Sequence, residues 1–155
     1  MERVPLAMHA TSERPMDEAE RRLREAFAAE GFGVLTDVDL AATLRSKLGA
    51  EIGPYRILGM CNPKLAHDAV SAWRGFGLLA PCNVVLFDAG AHRVVLAFDP
   101  LAISGVHEAP RVLPIAREAR AAIERALARF EAGEAPPPGA SSAAAARGGG
   151  AAETR

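Results

Sequence analysis

The chain has 155 residues, 18 basic and 19 acidic side chains, and a formal net charge of −1. Because charges of both signs are interspersed, no broad basic surface for DNA or RNA is predicted. No apolar run approaches the roughly 20 residues that cross a bilayer, and the first residues lack the apolar core of a secretory signal. We therefore expect one cytoplasmic domain that binds neither nucleic acid nor membrane, with its two cysteines reduced.

The first part of the chain predicts a strand, a helix and a second strand. Alternating apolar residues over positions 1–10 predict an edge strand. A helix is expected from Pro15 or Met16, because proline suits a first turn, and Gly31 should end it. The apolar stretch 32–38 then predicts the next strand.

The middle of the chain predicts two further helices, each begun by a capping residue. Asp39 is a suitable N-cap for a short helix, and a strand is expected over 55–60. Asn62 is a second N-cap, followed by Pro63 in the first helical turn. The apolar stripe of the short helix would consist of Leu40, Leu44 and Leu48.

The most hydrophobic part of the chain predicts a β-hairpin. Its strands, 84–87 and 93–98, are apolar at consecutive positions, whereas a strand with one wet face should alternate. Both faces are therefore expected to be covered, either by helices alone or by helices on one face and a second subunit on the other. A long final helix is expected from Pro110 or Pro114 to Phe130.

These elements predict a single small α+β domain over residues 1–133. We expect about four strands in an antiparallel or mixed sheet, packed with helices. The remaining segment, 134–155, is rich in alanine, proline and glycine. Such a composition cannot bury enough apolar surface to offset its ordering entropy, so we expect a disordered tail. The tail either recruits a partner or is an extension without a role.

Five short segments occur in an order that resembles a known family. They are 31–35, 55–59, Cys61-Asn62-Pro63-Lys64, 79–85 and Asp99-Pro100. Over about residues 5–131 the chain resembles domain-of-unknown-function family 302, although Ala80 stands where a larger apolar residue is expected. The resemblance implies a small α+β domain that forms homodimers. It implies no established activity and therefore no catalytic residue.

Cys61 is the first residue of chemical interest, because it directly precedes a helix N-terminus. The free N–H groups and the dipole of such a terminus stabilise an anion and can lower the pKa of a cysteine. His67, one turn into the helix, could act as a base, although its neighbours Lys64 and Asp68 favour a solvated position. The alternative is that Cys61 is a small buried residue filling the junction between strand and helix.

Cys82 lies at the entrance of the hairpin strand. If its strand neighbours the one that ends before Cys61, the two sulfur atoms meet at one end of the sheet. They could then form a reversible disulfide or contribute two of four metal ligands, with a second subunit completing the set. Two thiols alone are a weak metal signal, so we assign no metal ligands. Packing alone would also explain Cys82.

We predict a homodimeric module that binds a small ligand, an anion, a cofactor or a partner protein at this end of the sheet. No phosphate-binding loop, nucleophile elbow or zinc-protease motif occurs, so a non-enzymatic role is favoured and no particular cofactor is indicated. The alternatives are a thiol-dependent redox enzyme, with Cys61 as nucleophile and Cys82 as resolving thiol, and a purely structural or assembly protein. The candidate ligand-binding residues are Cys61, Asn62, Lys64, Cys82 and Asn83.

Overall fold

The computed structural model describes residues 6–133, so the predicted tail at 134–155 and the first residues of the predicted edge strand lie outside the described part. Five strands and four α-helices follow one another, with two 3₁₀ segments. In chain order the elements are β1 (Ala7–Ser12), α1 (Met16–Ala29), β2 (Gly33–Asp39), α2 (Leu40–Leu48), β3 (Tyr55–Cys61), α3 (Pro63–Ala72), the 3₁₀ segment Arg74–Leu79, β4 (Cys82–Asp88), β5 (Arg93–Phe98), the 3₁₀ segment Pro100–Gly105 and α4 (Ala109–Ala132).

The strands form one sheet in the order β1-β5-β4-β3-β2, and every neighbouring pair is antiparallel. The predicted α+β class is confirmed. Of the two sheet types that were expected, antiparallel and mixed, the sheet is antiparallel. The sheet has one strand more than the expected four or so, because β1 pairs along its whole length with β5 from Ala7↔Phe98 to Ser12↔Arg93. As predicted, β1 is an edge strand.

Local capping contacts explain where two of the helices begin. The Oδ1 atom of Asp39 accepts a hydrogen bond from the Ala42 N–H at 2.9 Å, at the start of α2. The Oδ1 atom of Asn62 accepts from the Leu65 N–H at 3.3 Å, at the start of α3. Each contact satisfies an N–H group that has no partner within the helix. Both predicted N-caps are therefore confirmed.

The predicted apolar stripe of α2 is wrong. Leu48 is 74% exposed, and the buried residue of the helix is Ala41. The reason is that α2 joins two neighbouring antiparallel strands and packs mainly against β3, near the edge of the sheet. A helix in that position buries one small residue rather than a row of leucines.

The main core lies between one face of the sheet and the two longest helices, α1 and α4. Alternate residues of the strands point into it, including Leu58, Leu86 and Val95. They meet Phe27 from α1 and Phe130 from α4, each almost fully buried. A second, smaller apolar cluster lies at one end of the sheet. It contains Ala69, Ile103, Val112 and Ala116, with Trp73, Phe76, Leu79 and Phe98 packed against it.

The other face of the sheet, which we call the open face, carries two adjacent rows of apolar side chains. One row runs across four strands in register, and a second row contains two rings that stack at 5.6 Å between centroids. The rows are Val38–Ile57–Val85–Leu96 and Tyr55–Phe87–Val94. None of these seven residues belongs to either apolar cluster of the described residues. The helices α1 and α4 thus pack against one face of the sheet, and the two apolar rows lie on the other face.

Candidate functional site

A cavity lies at the end of the sheet where β3 ends, β4 begins and β5 ends; we call it the end cavity. It is partly open to solvent and has a volume of about 60 Å³. Residues from β3, α3, both 3₁₀ segments and α4 form its wall. The lining consists of Phe32, Met60, Cys61, Asn62, Leu65, Ala66, Phe76, Leu79, Ala80, Pro81, Cys82, Phe98, Pro100, Ile103, Val112, Ile115, Ala116 and Ala119. No charged side chain is among them.

Both cysteines line the end cavity, and both are free thiols. The antiparallel register of β3 and β4 brings them to the same end of the sheet, because Cys82 lies directly opposite Met60 and Cys61 is the next residue along. The chain enters β4 through a cis peptide bond between Ala80 and Pro81. Two segments that are separate in sequence thus contribute sulfur atoms to one apolar space.

The surroundings of the two thiols favour their neutral form. Burial raises the pKa of the Cys61 thiol above its ordinary value. Burial also raises the pKa of Cys82 to about 11, and the negative charge of a Cys61 thiolate would add to that effect. Desolvation acts in this direction because it penalises the charged form of a thiol. The direction is opposite to that expected for a thiolate held at the N-terminus of α3.

Asn62 lines the end cavity, and both polar ends of its side chain are already engaged. Its Oδ1 atom caps α3 through the Leu65 N–H. Its Nδ2 atom donates to the main-chain oxygen of Glu30 at 3.4 Å, which ties α3 to the end of α1. The side chain therefore positions the wall of the cavity, and one N–H donor and one acceptor lone pair of its amide remain for a ligand.

The remaining candidates lie outside the end cavity. Lys64 is 73% exposed, and its Nζ atom is 3.4 Å from the Asp68 carboxylate. Asn83 is exposed and lies opposite Gly59 in the sheet. His67 is 83% exposed, in agreement with the solvated position that was favoured for it. The structure thus brings together Cys61, Asn62 and Cys82 and leaves Lys64 and Asn83 at the surface.

Within residues 6–133, no group of three or more histidine, cysteine, aspartate or glutamate side chains is arranged to hold a metal ion. Over the same residues, none of the helices combines the length and the apolar character needed to span a bilayer.

One known family model matches most of the described chain. The model, described as a domain of unknown function, DUF302, matches residues 8–130. The chain belongs to the DUF302 family. Its fold is similar to the crystal structure of an uncharacterized conserved DUF302 protein from Bacillus stearothermophilus, with a TM-score of 0.75 and 25% sequence identity. The similarity covers 82% of this chain and 99% of that one. No curated protein matches the chain.

Sequence reasoning missed most of the wall of this DUF302 cavity. Phe76 and Leu79 come from a 3₁₀ segment, and Ile103 comes from another; Ile115 and Ala119 come from α4. The glycines at 75 and 77 predict a break in the helix, and a break has no periodic pattern that would mark Phe76 as buried. The signal that points to this segment is a large aromatic side chain between two glycines, followed by two leucines.

Proposed function

We propose that this DUF302 domain is a homodimeric module that binds a small ligand in the end cavity. One observation supports the site above all: Cys61, Asn62 and Cys82 line the same space, which is otherwise walled by hydrocarbon. Concave, mostly apolar spaces with a few polar groups are the usual form of small-molecule sites. The free cysteines also fit the reducing conditions of the cytoplasm, where we place the protein.

The chemistry of the lining favours binding over catalysis. It supplies no carboxylate, imidazole or ammonium group that could transfer a proton to a bound molecule. The raised pKa values of Cys61 and Cys82 keep both thiols protonated near neutral pH, and the thiolate is the nucleophilic form. A bound molecule would therefore be held without being transformed.

Removing space from the end cavity tests the binding site. The variant Ala119→Phe places a ring in the cavity, whereas Ala128→Phe adds the same ring at an exposed position of α4. The probe is butanol, a small neutral alcohol, and isothermal titration calorimetry measures its binding. We expect Ala119→Phe to weaken butanol binding at least tenfold and Ala128→Phe to leave it unchanged. Equal binding by both variants would remove the support for the site.

The open face of the sheet supports the homodimeric part of the proposal. Its row Val38–Ile57–Val85–Leu96 is continuous across four strands, and the stacked rings of Tyr55 and Phe87 lie beside it. A contiguous apolar surface of this kind is costly to leave in water and typical of an interface. A second copy of the chain presents the same two rows, and a two-fold axis can bring them face to face.

A charge at the centre of the open face tests the dimer. Val85 lies in the middle of the first row, so Val85→Lys should place an unpaired ammonium in the interface and give a monomer. Leu48→Lys, at an exposed position of α2, is the matched control and should remain dimeric. Analytical ultracentrifugation at micromolar concentration measures both. A wild-type protein that sediments as a monomer would overturn the dimer.

The redox alternative rests on the two free thiols in one cavity. Oxidation would join the two sulfur atoms and release two protons and two electrons to an oxidant such as hydrogen peroxide. A mass loss of 2 Da after peroxide treatment, absent in Cys82→Ser, would favour the redox enzyme. Because both pKa values are raised, we expect the protein to remain in its dithiol form under conditions that oxidise a low-pKa cysteine.

A further inference from the structure

We infer that a second copy of the chain covers the end cavity at its border with the open face, so that the ligand site is complete only in the homodimer. This inference rests on the proposed function and joins its two parts, the ligand site and the dimer. Three features of the molecule support it: the border that the cavity shares with the open face, the side on which the strands carry their charges, and the size of a dimer interface.

The end cavity and the open face share a border, and the register of the strands shows where it lies. Successive residues of a strand alternate between the two faces of a sheet. Cys61 comes four residues after Ile57 in β3, so it stands on the open-face side. Phe98 comes two residues after Leu96 in β5 and stands on the same side. Both residues line the end cavity, so its wall is continuous with the open face.

Pro81 marks the same border through a contact that does not depend on its own register. Gly59 lies two residues before Cys61 in β3, so a Cβ atom at Gly59 would point to the open-face side. Such an atom would lie 2.7 Å from the Pro81 ring. Pro81 therefore packs on the open-face side of β3, and it also lines the end cavity.

The border is a part of the cavity wall that stays in contact with solvent. Cys61, Pro81 and Phe98 are all partly exposed. Met60, which lines the cavity from the helix side of β3, is only 1% exposed, as is Val112 of α4. Because the cavity is partly open, a surface that covers the border also covers at least part of the opening.

The strands β2 to β5 carry their charged side chains on the helix side of the sheet. These side chains are Asp37, Asp39, Arg56, Asp88 and Arg93. Asp37 lies opposite Leu58, and Arg56 lies opposite Leu86; both leucines belong to the main core. Pairing and alternation put the other three on the same side. The open face of these strands is thus uncharged, so a second copy can bury it without leaving a charge unpaired, whereas a partner recognised by charge finds nothing there to bind.

An interface of ordinary size brings a second copy to this border. A stable interface buries about 800 Å² on each partner, which corresponds to a patch about 28 Å across. At about 3.4 Å per strand residue, Cys61 lies about 14 Å along β3 from Ile57 in the first row of the open face. A partner centred on that row therefore reaches Cys61. Removing about 55 Å² more of a ligand's apolar surface from water is enough to raise its affinity about tenfold.

The dependence of ligand binding on the dimer is tested with Val85→Lys and its control Leu48→Lys. Butanol is the probe, isothermal titration calorimetry measures its Kd, and sedimentation at the same protein concentration gives the assembly state. Neither residue lines the end cavity, so neither substitution changes its wall directly. We expect monomeric Val85→Lys to bind butanol at least tenfold more weakly than dimeric Leu48→Lys. Equal affinities of the monomer and the dimer would overturn the inference.

Access to Cys61 tests the border without any ligand. In a Cys82→Ser background, Cys61 is the one cysteine left in the chain. We expect iodoacetamide to alkylate it at least fivefold faster in Val85→Lys than in Leu48→Lys, because a monomer has no partner over the border. Mass spectrometry follows the reaction, and circular dichroism checks that both variants are folded. Equal rates would place the partner away from Cys61 and contradict the inference.

The reciprocal effect of butanol on assembly is measured without changing the open face. Ligand and dimer strengthen each other by the same factor, so a tenfold effect at each of two sites lowers the dimer dissociation constant about hundredfold at saturation. Sedimentation equilibrium with and without butanol measures this constant for the wild-type chain. Ala119→Phe, which fills the cavity, controls for the alcohol as a solvent and should show no change. The same response in both proteins would count against the coupling.

Failure of this inference is distinguishable from failure of the proposed function. If monomeric Val85→Lys binds butanol as tightly as the wild-type dimer while Ala119→Phe does not, the ligand site and the dimer stand and only their coupling is wrong. A wild-type chain that sediments as a monomer removes the dimer, and this inference with it. A wild-type dimer that binds no butanol removes the ligand site, and the inference again fails.

Discussion

Asn62 donates a hydrogen bond from Nδ2 to the main-chain oxygen of Glu30 at 3.4 Å, while its Oδ1 atom caps α3. The Glu30 side chain is 9% exposed and accepts hydrogen bonds from Arg125 at 2.8 Å and Arg129 at 3.2 Å. Asn62 and Glu30 therefore join the end of α1, the start of α3 and the C-terminal part of α4. The wall of the end cavity is fixed to the main core through this connection.

The two functions of the Asn62 side chain can be separated by substitution. Asn62→Ala removes both the cap and the hydrogen bond to Glu30, and we expect a loss of about 1 to 2 kcal/mol in the free energy of unfolding. Asn62→Asp keeps an acceptor for the Leu65 N–H and loses only the donor, so its loss should be less than half as large. Urea unfolding measures both. Equal losses would show that the cap contributes nothing.

The Glu30 carboxylate should contribute more to stability than an ordinary surface ion pair does. It is nearly buried, and it accepts hydrogen bonds from two arginines. We expect Glu30→Gln to lower the free energy of unfolding by about 1 to 2 kcal/mol, in the range of hydrogen bonds to charged groups. The control is Glu124→Gln, which removes an exposed i, i+4 pair with Arg120 and should cost less than about 0.5 kcal/mol. Equal effects of the two substitutions in urea unfolding would contradict the prediction.

Features that depend on a few neighbouring residues were predictable from the sequence. Asp39 and Asn62 cap helices because the N–H groups they satisfy lie three residues further along the chain. The outward position of Leu48 was not predictable, because it depends on what α2 packs against. The 3₁₀ wall of the cavity escaped prediction for the same reason, since Phe76 is apolar but has no periodic partners in its own segment.

The sequence predicted the position of the two thiols only conditionally, and it did not predict their chemistry. Cys61 and Cys82 share one end of the sheet only if β3 and β4 are neighbours, and the structure supplies that pairing. The direction of the pKa change was not predictable, because the desolvation of the thiols comes from residues far away in sequence, such as Phe98 and Ile115. The helix N-terminus is a local feature that lowers the pKa of a thiol, and here the effect of burial, which raises the pKa, is larger.

Gly59 lies where the sheet has no space for a side chain. A Cβ atom at this position would overlap Thr36 Oγ1 and lie 2.7 Å from the Pro81 ring. We expect Gly59→Ala to lower the free energy of unfolding by about 1 to 3 kcal/mol, as overpacking does. Gly33 is also in a strand, but a Cβ atom there meets nothing within 4 Å, so Gly33→Ala should be neutral or slightly stabilising. Chemical denaturation compares the two, and a neutral Gly59→Ala would contradict the close packing.

The raised pKa of Cys82 makes stability depend on alkaline pH, and the sign follows from proton binding. Between its ordinary value of 9.0 and the folded value of about 11, the folded chain keeps the thiol proton that the unfolded chain has lost. Stability is therefore complete below about pH 9 and falls as pH rises toward 11, by at most about 3 kcal/mol at roughly 1.4 kcal/mol per pKa unit. Cys82→Ala removes this dependence while other alkaline groups titrate equally in both proteins. We expect the difference in unfolding free energy between wild type and Cys82→Ala to shrink from pH 8 to pH 11 in urea titrations, and a constant difference would show that the thiol is not desolvated.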